Sequence, residues 1–373
     1  MVGKVTARLR IVLDQLVSPT DSDLATASRS LAEALIAAPP SGCDVGALAP
    51  APSAQTRSQD GLDLAGVADV WQARVARREL AAAWRIGAPL GASGGMIHSP
   101  TLMAPLVRHD RAHDQDQTVV TLWSLQAWTD PTGLPRASAA WQRAMLARAV
   151  RHADAVVVPT HAMAADLAEI ARLGGRIRVI AGAPAPGFGV PTDAAGRLRT
   201  LGLPARFIVA LDSDVDSDEL APVLSAGSDL ELDVVVLNVT GRARAERPAG
   251  AETREPGVRR VHVADVSDAA DRAAVLAGAL AVVAPSTAAV YPWRMLEALA
   301  VGAPLVAADT PQNQELLADA AILANLTGIQ EGVRTTVGDE VVRDRLRVLS
   351  LDRSKAFSWR DAANRVWQLH AEL

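Results

Sequence analysis

The chain has 373 residues, 49% of them hydrophobic, and a formal net charge of −5 at pH 7; that length is enough for two domains with separate cores. Its single cysteine, Cys43, excludes an internal disulfide framework and a multi-cysteine zinc site and suits a reducing, cytoplasmic setting. The acidic balance argues against a nucleic-acid partner, because neutralising phosphates needs a basic stripe.

Lys4, Arg8 and Arg10 precede an apolar run, residues 11–13, that is too short for the core of a secretory signal. No stretch reaches the ~18 apolar residues of a spanning helix, so a soluble protein is expected, with peripheral membrane contact at most. Residues 10–14 read as a first strand, leading through the loop 18–23 into a helix over 24–37, with Asp21, Ser22 or Asp23 as its cap. Pro39 and Pro40 end that helix, and a strand over 44–48 completes a β-α-β unit. Residues 50–64, rich in Pro, Ser, Gln and Gly, read as an exposed loop.

Val70, Trp71, Val75, Leu80 and Trp84 lie near helical spacing and predict an amphipathic helix over 67–86. Strands follow at 96–100, 119–122, 155–158 and 177–180, with helices over 138–152 and 161–173 between them. The Gly- and Pro-dense segment 182–191 is the best linker candidate. Beyond it a second series has strands at 207–211, 233–237, 260–263, 280–283 and 305–308, and a helical tail with Ala363, Val366, Trp367 and His370 on one face. Strands alternating with helices throughout predict an α/β chain built on doubly wound parallel sheets.

The most informative stretch is 281–325: a strand, a Pro-Ser turn, a helix through 295–301, a second buried strand and a helix carrying Glu315. In an open parallel sheet, ligands sit at the carboxyl ends of such strands. Pro285, Ser286, Glu297, Ala298, Ala300, Gly302, Pro304 and Val306 match the pattern Pro-Ser-x-x-Glu-Gly-Phe-Gly-x-Pro-x-x-Glu-Ala-x-Ala-x-Gly-x-Pro-Val-Val. This stretch resembles the donor-binding segment of the family-4 glycosyltransferases, which have the GT-B fold. Residues 148–160 resemble that family's last N-domain helix and strand, and 176–182 its entry to the interdomain linker.

The resemblance implies two Rossmann-like domains facing a cleft. An acceptor-side domain over 1–185 would be completed by a helix over 357–373, and a nucleotide-sugar-side domain would span 186–356. It implies a UDP- or GDP-linked sugar as donor, no further cofactor, and a glycan or lipid-linked acceptor. Pro285, Ser286 and Glu297 take the nucleotide-side positions, with Glu297 on the ribose. His98, Trp123, Ala289, Tyr291 and Arg294 are the cleft candidates; His98 reads equally as a packed core histidine.

The departures from the pattern cluster at the same place. Ala289 stands where the family has its sugar-binding glutamate, and Val290, Tyr291 and Pro292 replace Gly-Phe-Gly, so that Pro292 removes a backbone N–H. Trp123 and Ser124 replace the cleft His-Asp pair, and residues 19–23 replace a Gly-rich loop. Where the family clamps the diphosphate with Arg and Lys, residues 211–219 carry five acidic groups and no basic one. That loop is either a solvated acidic cap or a divalent-cation site formed by Asp212, Asp214, Asp216 and Asp218, although Ser217 and Val223 replace the Gly and Glu of calcium loops.

His109 and His113, with Asp110 and Asp114, have zinc-compatible spacing in a polar run that reads better as a solvated loop. Arg242, Arg244 and Arg294 are the remaining candidates for meeting a phosphate. Three functions stay open. The first is a non-catalytic partner of an active glycosyltransferase paralogue in envelope polysaccharide assembly. The second is an active retaining transferase with substituted contacts, and the third a glycan-binding module.

Overall fold

A computed structural model describes residues 7–52, 62–88, 90, 94–109, 116–211, 218–237, 252–253, 261–264 and 266–373. Two compact units emerge: Met1–Ala185 with Ala289–Tyr291 and Ser358–Leu373, and Pro186–Ala288 with Pro292–Phe357.

The first unit is built on a seven-stranded sheet in the order β3-β2-β1-β4-β5-β6-β7. Its strands are β1 (Ala7–Val12), β2 (Cys43–Ala51), β3 (Val70–Ala76), β4 (Met96–Ser99), β5 (Gln117–Thr121), β6 (Ala155–Val158) and β7 (Ile177–Val179). Every neighbouring pair is parallel. The central strands are accordingly apolar on both faces, β6 being Ala-Val-Val-Val and buried throughout. Helices α1 (Ser22–Ala37), α2 (Arg77–Ile86), α3 (Arg136–His152) and α4 (His161–Ile170) flank the sheet. Asp21 caps α1, its carboxylate accepting the N–H groups of Asp23 and Leu24.

The helix expected over 67–86 is two elements. Val70–Ala76 forms the edge strand β3, with Ala47, Leu48 and Ala49 of β2 opposite Val70, Trp71 and Gln72. β-Branched and aromatic residues favour that pleated surface. Only from Arg77 does a helix begin, and it buries Leu80 and Trp84, four residues apart on one face.

The second unit has its own seven-stranded sheet, ordered β10-β11-β9-β8-β12-β13-β14. It comprises β8 (Phe207–Leu211), β9 (Asp233–Leu237), β10 (Glu252–Thr253), β11 (Val261–Ala264), β12 (Val282–Ala284), β13 (Leu305–Ala308) and β14 (Ala321–Ala324). Only β10 runs antiparallel to its neighbour. Helices α5 (Ala221–Asp229), α6 (Ala269–Gly278), α7 (Trp293–Ala300), α8 (Pro311–Leu317), α9 (Ile329–Gly338) and α10 (Glu340–Ser354) belong to it, as does a short helix over Ala194–Thr200. Its core joins Ile208, Val234, Val283 and Val306 of the sheet to Val223, Ile329 and Val333 of α5 and α9. Helix α9 approaches β13 so closely that a Cβ on Gly332 would lie 2.9 Å from Val306 Cγ1.

Helix α11 (Trp359–Glu372) belongs to the first unit, where it packs on α1. Ser358 caps it, and the Trp359 indole N–H donates to the Pro184 carbonyl at 2.9 Å. Among the described residues, no helix is long and apolar enough to cross a membrane.

Candidate functional site

In the second unit, β12 ends at Ala284 and the chain turns through buried Pro285 and half-buried Ser286. The Ser286 hydroxyl accepts the Ala288 N–H at 3.3 Å, and the Thr287 N–H donates to the Glu219 carboxylate at 3.3 Å. Helix α7 then starts after Pro292 with no side-chain cap. It buries Met295, Leu296, Ala298 and Leu299, and together with them Arg294 and Glu297.

Glu297 sits in the second turn of α7, facing inward. One carboxylate oxygen lies 2.9 Å from Arg272 Nη2 and the other 3.2 Å from Arg272 Nε, a bidentate fork. Arg294, three residues earlier and therefore on the same face of α7, pairs with the same carboxylate. Helix α6 supplies Arg272, whose remaining arm donates to the Ser267 carbonyl at 2.7 Å. Side-chain exposure is 3% for Arg294, 6% for Glu297 and 13% for Arg272, so the triad is a buried ion cluster rather than a surface pair. Both carboxylate oxygens are occupied from within the protein, and two cations meet one anion.

In the first unit, Ala289–Tyr291 pairs with residues 123–125 as a short antiparallel strap. The Leu125 N–H donates to the Ala289 carbonyl at 2.8 Å, Ser124 bridges Val290, and the Tyr291 N–H donates to the Trp123 carbonyl at 2.8 Å. The Tyr291 hydroxyl donates to the Gly182 carbonyl at 2.8 Å. The Tyr291 ring lies 5.3 Å from that of Trp123, tilted by 44°. Trp123 in turn donates its indole N–H to the Pro100 carbonyl at 2.8 Å. Both aromatic side chains are buried, and the Ala289 methyl packs against the cluster that contains Leu125. Residues 289–291 are thus bonded to Trp123, Ser124, Leu125 and Gly182 of the same unit.

His98 on β4 is fully buried, its ring edge-on to His370 of α11 with centroids 5.6 Å apart. Burial, and secondarily the neighbouring His370, holds it well below the ordinary histidine range. Of the two readings open for this residue, the packed core histidine describes its place.

Sequence reasoning missed the polar group at the end of β1. Asp14, 1% exposed, accepts from Arg77 Nε at 2.7 Å and from Gln15 at 2.8 Å, and burial raises its pKa against the opposing pull of Arg77. The available signal was an acidic residue directly after an apolar strand. Its partner is hidden because helical spacing places Arg77 in the middle of a long helix.

His109 is not solvated: Nε2 bonds the buried Asp154 carboxylate at 2.9 Å and Nδ1 the Val107 carbonyl at 3.0 Å. The Asp154 bond raises its pKa. Asp110, His113 and Asp114 lie outside the described residues, as do Asp212, Asp214, Asp216, Arg242 and Arg244, while Asp218 is exposed. Among the described residues, no group of three or more His, Cys, Asp or Glu side chains is placed to hold a metal.

Residues 218–337, most of the second unit, match the model of the family described as Glycosyl transferases group 1. No curated protein matches the sequence at a significant level. Sucrose-phosphate synthase (tll1590) from Thermosynechococcus elongatus superposes with a TM-score of 0.66 at 16% identity, over 98% of this chain and 98% of that one. Anabaena Alr3699/HepE in complex with UDP superposes with a TM-score of 0.64 at 16% identity, over 98% of this chain and all of the other. In its complex with UDP-glucose the score is 0.65 at 15% identity, with the same coverage. The chain therefore has the GT-B fold, and its second unit carries the sequence pattern of the group 1 glycosyltransferases.

Proposed function

We propose that this protein is a glycosyltransferase homologue of glycan or cell-envelope polysaccharide assembly whose donor site no longer transfers sugar, and that it serves as a non-catalytic partner or regulatory subunit of an active relative. It works in the cytoplasm, with any membrane contact peripheral. One observation carries the reading: the Glu297 carboxylate, which the family presents to the nucleotide ribose, is saturated by Arg272 and Arg294 inside the second unit. Releasing it would leave two buried guanidiniums without a counter-charge, a penalty of several kcal/mol that a ribose hydroxyl pair does not offset. The substitutions at Ala289 and Pro292 remove the side chain and the N–H that would have held the sugar.

A second reading has its own support. The fold is shared with a protein that binds UDP and UDP-glucose, and Arg272 and Arg294 together exceed the charge of Glu297, the sign of charge a diphosphate requires. On that reading the protein is a retaining transferase for a nucleotide sugar. The two part on turnover. Purified protein incubated with UDP- and GDP-hexoses, with and without Mg²⁺ or Mn²⁺, should release nucleotide no faster than buffer. Sustained release that disappears in Arg272→Met would overturn the non-catalytic reading.

A further inference from the structure

Five buried polar atoms that make no hydrogen bond among the described residues lie on three elements of the first unit that pack together. They are Ser28 Oγ on α1, both ring nitrogens of His98 on β4, and Trp367 Nε1 and His370 Nε2 on α11. Helix α11 packs on α1, and the two histidine rings meet edge to face across the β4–α11 contact. His370 Nδ1 bonds Gln117 Oε1 at 2.8 Å. An amide oxygen only accepts, so Nδ1 carries the proton and Nε2 is the bare nitrogen. Adding a proton at Nε2 would create a buried cation whose new N–H meets no acceptor among the described residues, beside a second imidazole that is equally enclosed.

Among the described residues, the charges on the surrounding elements do not provide one. Asp154, before β6, favours protonation of His370, but its carboxylate already holds His109 and the Thr118 N–H. Arg10 on β1 is turned to the Gly94 carbonyl, and Asp116 before β5 accepts from Gly95. Arg29 and Glu33 on α1 pair with each other near the surface, at 3.7 Å. Arg360, Asp361, Arg365 and Glu372 of α11 are exposed.

We propose that the His98–His370 contact is an acid-sensitive latch, by which protonation of the pair releases helix α11 from β4 and α1. The latch is closed while both rings are neutral. Protonating either ring is met by moving it to water, and because His370 is one turn beyond Trp367 on the buried face of α11, its ring leaves together with the turn of helix that carries it. The direction of both histidine pKa values, held down chiefly by burial, agrees with this.

The test is hydrogen exchange of the full chain between pH 7.5 and pH 5, corrected for the intrinsic rate. Amides of α11 should lose at least tenfold in protection at pH 5, while β8, β12 and β13 keep theirs. In His98→Leu/His370→Leu the protection of α11 should be independent of pH. An equal acid loss in wild type and double variant, or no selective loss in wild type, would overturn the latch. Should the double variant not fold, ¹⁵N-histidine spectra of the wild-type protein decide. The two buried imidazoles are expected to stay neutral until α11 detaches, and a titration near pH 6.5 with α11 still protected would contradict the proposal.

Discussion

Replacing Glu297 by alanine separates a structural carboxylate from a ligand-binding one. In the folded protein the side chain neutralises Arg272 and Arg294, which are 13% and 3% exposed. Removing it leaves two guanidiniums facing each other with no anion between them. Deleting one partner of a buried ion pair typically costs ~3–5 kcal/mol. For a unit of roughly 170 residues, where each kcal/mol moves the midpoint by about 2–4 °C, the second unit should melt roughly 6–20 °C lower. Calorimetry resolves this if the two units unfold separately, and urea denaturation followed by peptide-resolved exchange does so if they overlap. The triple variant Arg272→Met, Glu297→Leu, Arg294→Met should recover most of the loss, because apolar replacement of a whole buried cluster is often neutral. A carboxylate kept to face a nucleotide would behave oppositely. A loss below about 1 kcal/mol for Glu297→Ala, in the range of surface charges, would refute the triad as a structural element.

Four further outcomes are expected. Tyr291→Phe leaves the Gly182 carbonyl without its donor and should destabilise the first unit by about 1–2 kcal/mol in urea denaturation. Asp154→Asn tests a pH effect of defined sign. The folded-state pKa of His109 is raised by its bond to Asp154, so the pair's stabilisation is fully present below the unfolded value near 6.5 and is lost as pH rises through the raised value. The variant should therefore fall behind wild type by about 1–2 kcal/mol at pH 6 and by less at pH 8.5. The buried pair His98 and His370 has the opposite sign: depressed in the folded state, its stability is present above ~6.5 and lost as pH falls, for His370 toward about 4. Gly332→Ala should cost about 1–3 kcal/mol in the second unit through overpacking against Val306, although alanine is the better helix former.

The strands at 207–211, 233–237 and 305–308 were legible because continuous apolar runs bounded by turn residues have few other uses in a chain this long. β3 was not legible. Its Val and Trp residues are compatible with either period, and what decides the matter is an empty sheet edge beside β2, which no local window contains. β14 was missed for a related reason: Ala-Ile-Leu-Ala is short and only half-buried.

At the candidate site, the positions came from the sequence and the partners did not. Glu297 stood in its motif, but Arg272 lies on a different helix, and the pairing depends on how α6 and α7 pack. Arg294, three residues away, was within reach of helical spacing alone and marks the pairing as partly foreseeable. Ala289 and Tyr291 were recognisable as substitutions. Their bonds to Leu125 and Gly182 were not, being contacts between segments more than a hundred residues apart.

The most direct test of the central claim is titration calorimetry of the wild-type protein with UDP, GDP and their hexose conjugates, with and without Mg²⁺ or Mn²⁺. The buried Arg272–Glu297–Arg294 cluster predicts no binding heat with any of them. Micromolar binding, about −8 kcal/mol, would show that the protein still takes a nucleotide and would contradict the account.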